Sequence, residues 1–141
     1  FILQNDGTLV IKIFDIFTEL TFDFVYLLSH LFGKTYICKP DTSRPTNSEK
    51  YIVCKNYDKS KFNVDIQNFM KNLCFNGIDS YSSFIRKDNI NQRFIDSIKN
   101  INKILMSRQI STIESVLGVI ASGEKPIRGC EITSKWIAKY Y

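Results

Sequence analysis

Between residues 8 and 14 the chain is almost wholly apolar or β-branched, with Leu9, Val10, Ile11, Ile13 and Phe14 surrounding a single charge at Lys12. A run that is apolar on both faces predicts an interior strand of an α/β sheet, and Asn5-Asp6-Gly7 just before it is a turn signal. The period then changes. Leu20, Phe24, Leu27, Leu28 and Leu31 recur at the spacing of a helix packed on a sheet, which predicts a helix over 18–32 with Thr18 as its N-cap and Gly33 as its end. Residues 34–39 read as a short strand stopped by Pro40, 41–48 as a polar loop, and 49–57 as a third strand. A strand, a helix and a return strand form a right-handed crossover unit, and the short loop after it favours an antiparallel third strand. Residues 1–57 thus look like one end of a larger α/β sheet.

Beyond Tyr57 the pattern becomes helical. Helices are predicted over 64–74 and 91–106, the second with Phe94, Ile98, Ile101 and Leu105 on one face. A short turn or helix is expected at 81–86, and two further helices at 111–121 and 131–140, separated by the loop-forming run Ser122-Gly123-Glu124-Lys125-Pro126. The expected organisation is therefore a sheet segment, 1–57, followed by a helical extension, 58–141.

Composition narrows the function classes. At 141 residues, 44% hydrophobic and 23% charged, the chain has the make-up of an ordinary globular domain. The most apolar stretch, 14–32, contains Asp15, Glu19, Asp23 and His30, which argues against a membrane span there. The chain opens on Phe1 and runs almost at once into a strand, as expected of a sequence that begins inside a longer polypeptide, and it lacks the basic start of a signal peptide. Cys38, Cys54, Cys74 and Cys130 form no CxxC pair, and His30 is near none of them in sequence, so reduced thiols are expected and no metal site. The net charge of +5 lies entirely in the second part: residues 1–57 balance six basic against six acidic groups, whereas 58–141 hold thirteen against eight. That asymmetry permits nucleic-acid contact and equally suits a solvated helical surface.

Candidate chemistry centres on Lys12, an ammonium in an apolar strand that needs either a partner or a route to solvent along its own stem. An antiparallel third strand beside the first would bring Glu49 towards it. The loop Thr42-Ser43-Arg44-Pro45-Thr46-Asn47-Ser48 crowds one guanidinium with hydroxyl and amide groups at the carboxyl edge of the sheet, where open α/β sheets bind ligands. Arg44 suits a phosphate or a base, or an ion pair with Asp41 or Glu49. His30 and the aromatic group Trp136, Tyr140 and Tyr141 read as packing or surface residues.

The string Ile11-Lys12-Ile13-Phe14-Asp15, a helix, and Cys38-Lys39-Pro40-Asp41-Thr42-Ser43-Arg44-Pro45-Thr46-Asn47-Ser48-Glu49-Lys50-Tyr51-Ile52-Val53-Cys54-Lys55 resembles the final strands of FtsJ-like RNA ribose 2′-O-methyltransferases. It is most similar to the eukaryotic and viral branch that acts on capped mRNA. The resemblance covers about residues 7–57. It implies a Rossmann-like sheet that uses S-adenosylmethionine and a Lys-Asp-Lys-Glu tetrad, of which the second Lys and the Glu fall on Lys12 and Glu49. The first Lys, the Asp and the glycine-rich cofactor loop would lie upstream of Phe1. RNA, in particular the 5′ end of capped mRNA, is the implied partner, with Lys39, Ser43, Arg44 and Asn47 as candidate RNA-binding residues. No membrane partner is expected, and the implied setting is intracellular, cytoplasmic or nuclear. Two alternatives stay open: a ribosomal or transfer RNA substrate, and a non-catalytic RNA-binding scaffold with the same fold. On its own the segment is expected to be inactive, with an unpaired apolar edge on its first strand.

Overall fold

A computed structural model describes residues 3–77, 85, 90–123 and 138. Strand β1 (Leu9–Ile13), helix α1 (Glu19–Leu31), strand β2 (Phe32–Cys38) and strand β3 (Lys50–Tyr57) follow in chain order, and helices α2 (Val64–Asn76) and α3 (Gln92–Ser122) come after them. The sheet order is β1-β3-β2, so the last strand is the central one. Because β3 is antiparallel to both neighbours, β1 and β2 run parallel to each other with β3 between them. The α/β class, the three strands and the antiparallel third strand are as expected from the pattern.

Strand alternation assigns two faces. On one, Ile11 and Ile37 flank Ile52, while Leu9 and Thr35 flank Cys54. Ile52 and Cys54 are fully enclosed, and Val25, Leu27, Leu28 and Leu31 of α1 close over this face to form the core. On the other face Val10 is 58% exposed, and Phe14 and Tyr36 are half open. Among the described strands β1 pairs on one side only, with β3, which leaves the unpaired apolar edge expected on this strand.

Helix α1 starts as read. Thr18 Oγ1 accepts from Thr21 N–H at 3.2 Å, satisfying a donor that the first turn leaves unpaired. Its end differs. Phe32 caps α1 in extended backbone and begins β2 directly, so Gly33 is a strand residue, not a helix cap. The small residue is required by its neighbour across the sheet: a Cβ on Gly33 would come within 3.3 Å of the Asn56 Cβ. Asn56 itself has a φ of +61°, a left-handed conformation that asparagine tolerates better than most residues. The turn at Asn5-Asp6-Gly7 is present and is tied to the end of β3 by reciprocal bonds, Asp6 N–H to Tyr57 O and Tyr57 N–H to Gly7 O.

The helices expected over 91–106 and 111–121 are one continuous helix. The joining residues Ser107, Arg108, Gln109 and Ile110 include neither glycine nor proline, and a helix with no breaker propagates. Asn91 caps its start and Gly123, at a φ of +71°, its end. Its first half packs on α1: Ile98 is buried, and the Phe94 ring meets Phe22 and Tyr26 edge-on at 5.5 and 5.0 Å. Its second half leaves Ile110, Ile113, Leu117 and Ile120 in the open. By length and hydropathy α3 would suffice to cross a bilayer, a property the pattern reading did not raise. Arg108 and Glu114 sit within that apolar stretch, and the first half is committed to α1. The elements expected at 81–86 and 131–140, with Cys130, Trp136, Tyr140 and Tyr141, fall outside the described residues apart from Ile85 and Ala138.

Candidate active site

Register brings the two principal candidates together. Lys12 lies across from Tyr51, and Glu49 precedes β3 by one residue. The two-residue period of a strand places Glu49 and Tyr51 on one face, the face of Lys12. Lys12 Nζ stands 3.1 Å from Glu49 Oε2, and Tyr51 Oη donates to Glu49 Oε1 at 2.7 Å. Each carboxylate oxygen thus has its own donor. The ammonium also lies 5.5 Å from the centroid of the Phe14 ring. The Lys12 side chain is 49% exposed, so among the described residues the ammonium has both of the outlets the pattern left open, a carboxylate partner and a route to solvent.

The Tyr51 hydrogen bond, and after it the Lys12 ammonium, hold the Glu49 carboxyl below the usual carboxylate range. The same bond pushes the Tyr51 phenol up, since losing its proton would remove the donor and add a second negative charge. Glu49 is therefore a fixed anion at neutral pH. A depressed carboxylate stabilises the fold fully above the ordinary glutamate range, and that contribution is lost as pH falls through its lowered value. Tyr51→Phe is accordingly expected to raise the Glu49 titration and to shift this loss to higher pH. Carboxyl-carbon NMR of glutamate-labelled protein reads it directly, and an unmoved Glu49 titration would show that the phenol does not hold the carboxylate.

The four candidate RNA-binding residues divide. Lys39 Nζ donates to Asn47 O, to Glu49 O at 2.8 Å and to Ser43 Oγ at 3.4 Å, which uses all three of its donors inside the loop. Asn47 Oδ1 accepts from Glu49 N–H at 3.0 Å. Lys39, Ser43 and Asn47 are thus the internal frame of the 40–49 loop, turned towards its own main chain. Arg44 is exposed on the outside of the loop, with its carbonyl accepting from Asn47 N–H.

Sequence reading passed over Lys50 and Tyr51. Among the described residues Lys50 is the buried lysine, 5% exposed, its ammonium donating to Phe14 O and lying 3.9 Å from Asp15 Oδ1. Burial lowers its pKa, and Asp15 partly offsets the effect. The signal was there: Lys50 alternates with Ile52 and Cys54 and so belongs to the covered face, as Lys12 alternates with Val10 on the open one. Lys50 ties the start of β3 to the segment after β1, and Glu49 is its immediate neighbour.

Glycines in a nucleotide cradle let the ligand approach backbone closely at a strand-to-helix turn. The described glycines do other work. Gly7 makes the turn before β1, where a Cβ would meet Gln4 O at 2.8 Å, and Gly77 and Gly123 follow helix ends. None of the described residues forms such a cradle.

Residues 1–57 match the family model described as FtsJ-like methyltransferase. The chain is 33% identical over 141 positions to the cap-specific mRNA (nucleoside-2′-O-)-methyltransferase 1 of Dictyostelium discoideum, an alignment covering 98% of this chain and 18% of that protein. It is 48% identical over 54 positions to the protein of the same name from Drosophila melanogaster, covering 38% and 7%. With the protein of that name from Leishmania braziliensis it shares 22% identity over 151 positions, covering 98% and 36%. The chain therefore spans a minor part of the length of each relative. Residues 1–57, which hold β1, β2, β3 and the Lys12–Glu49 pair, are thus the part of the chain that is similar to the FtsJ-like methyltransferase family.

Proposed function

We propose that this chain is the carboxyl-terminal part of the catalytic unit of an S-adenosylmethionine-dependent RNA methyltransferase, one that acts on the ribose 2′-hydroxyl of capped mRNA. The observation that carries the proposal is the Lys12–Glu49–Tyr51 array, an exposed ammonium held by a carboxylate that is itself held. S-adenosylmethionine supplies the methyl group, and its cradle lies outside the described residues. What this chain contributes is polarity at the acceptor. A ribose hydroxyl is a weak nucleophile, and the Lys12 ammonium stabilises negative charge as it develops on the ribose oxygen and the hydroxyl proton passes to water. Glu49 acts on Lys12: it keeps the ammonium charged and aimed, while Tyr51 prevents the carboxylate from swinging away. Arg44, on the outer side of the loop, is placed to grip an RNA phosphate. An mRNA substrate puts the protein in the cytoplasm or nucleus.

The test is methyl transfer from labelled S-adenosylmethionine by the full-length protein, with a short capped RNA, the same RNA uncapped, and ribosomal and transfer RNA as acceptors. Label on the capped RNA alone, at the 2′-oxygen of a cap-proximal nucleotide, is the expected result. Label on ribosomal or transfer RNA would move the substrate within the same chemistry. RNA binding without transfer to any acceptor would leave a scaffold and sink the catalytic reading.

A further inference from the structure

Helix α3 lies outside the segment that carries the family pattern, yet two of its side chains reach back to the backbone on either side of the Lys12–Glu49 pair. Asn102 Nδ2 donates to Ile16 O at 3.1 Å, and Gln109 Nε2 donates to Thr46 O at 3.0 Å. Ile16 lies in the segment that leaves β1 just after Lys12, and Thr46 in the loop that delivers Glu49. Asn102, Leu105 and Gln109 are spaced three and four residues apart, which puts them on one helical face. Together with Met106 they form one wall of a cleft of about 290 Å³ whose opposite wall includes Asp15, Phe17, Asn47 and Ser48. The two segments are also braced from below, by Lys50 on Phe14 O and by Lys39 on Asn47 O and Glu49 O.

We propose that α3 is a positioning element of the methyltransferase site: Asn102 and Gln109 are positioning residues that set the separation between the Lys12 and Glu49 segments and hold the Arg44 loop in its RNA-facing shape. The assignment rests on the proposed methyltransferase function. The contacts suit the role, because a side-chain amide donating to a main-chain carbonyl fixes backbone without depending on the side chains of the loop. Alignment over 98% of this chain with the Dictyostelium relative also carries α3 along with the sheet. Asn102 is anchored next to the buried Ile98 turn, whereas Gln109 makes the more distal of these two hydrogen bonds, so the Thr46 contact is the adjustable one.

Three substitutions at Gln109 in the full-length protein separate a brace from a bystander. Gln109→Ala removes the donor and Gln109→Glu replaces it with an acceptor that repels the Thr46 carbonyl. Gln109→Lys restores a donor on a stem of similar reach. A single net hydrogen bond corresponds to roughly a two- to tenfold change in an equilibrium. The expectation is a rise in KM for RNA of about that size for Ala and Glu with kcat nearly unchanged, near wild-type values for Lys, and no change for Gln92→Ala, whose amide bonds only Asp96 in its own helix. Hydrogen exchange at the Ser43 and Asn47 amides, which close turns within the loop, should quicken by a similar factor for Ala and Glu and not for Lys. That readout does not depend on methyl transfer. A wild-type protein that transfers no methyl group but shows the exchange pattern would overturn the function and keep the brace. Exchange and KM unmoved by both Ala and Glu would overturn the brace whatever the activity.

Discussion

Lys12→Ala in the full-length protein is expected to reduce methyl transfer to RNA by about a hundred- to ten-thousand-fold, the range associated with losing a positioned charge or proton-handling group in a transition state. The reasoning separates chemistry from folding. Lys12 is half open to solvent and its ion pair with Glu49 is at the rim of the sheet, and exposed pairs of this kind contribute about 0–1 kcal/mol to stability. The variant should therefore fold, unfold near the wild-type temperature and bind RNA, while single-turnover transfer collapses. Lys12→Arg should rescue little, because a planar guanidinium distributes its charge over a fork and cannot place one compact ammonium between the carboxylate and the acceptor oxygen. Transfer within tenfold of wild type by Lys12→Ala, on protein shown to be folded, would remove Lys12 from the chemistry.

The second large effect is structural. Ile52 sits at the middle of the central strand with Ile11 and Ile37 directly opposite on either side, and it is 0% exposed. Ile52→Ala leaves a void bordered by both edge strands and α1, and truncations of this kind cost about 2–5 kcal/mol. In urea titrations the midpoint should fall steeply while the slope of the transition is kept. Val10→Ala on the open face, which removes two methyl groups from a strand neighbour of Ile11, should change stability by less than about 0.5 kcal/mol. Equal effects at the two positions would mean that the open face is covered as tightly as the core.

The pairing that makes the site was legible because it follows from strand order and loop length. A short loop after β2 forces an antiparallel return, and that return brings Glu49 to Lys12. Finer features depended on rules that act across elements. Gly33 looked like a helix terminator because glycine usually is one, but α1 runs into β2 without a left-handed residue, and the glycine answers instead to Asn56 across the sheet. The residues between the expected helices 91–106 and 111–121 hold no glycine or proline to enforce a break, so α3 continues through them. Lys39 looked like an RNA ligand because a lysine in a polar loop at a sheet edge offers charge. Its ammonium is engaged by the Ser43 hydroxyl and by two main-chain carbonyls, whose directions no sequence pattern reveals. Lys50 was hidden by attention to charge, although alternation with Ile52 and Cys54 places it inside.

Among the described strands the central one, β3, comes last in the chain, and this orders how they can pair. β1 and β2 emerge first with no partner for each other, since every backbone pair either makes is with β3. Joining β1 to β2 waits for β3, which must close contacts as distant as Leu9 to Cys54, the kind of long-range closure that slows folding. Lys12 and Glu49 meet only at that step. A chain stalled or cleaved before β3 inserts would leave Lys12 without its carboxylate, so the ion pair and the joining of β1 to β2 arrive together.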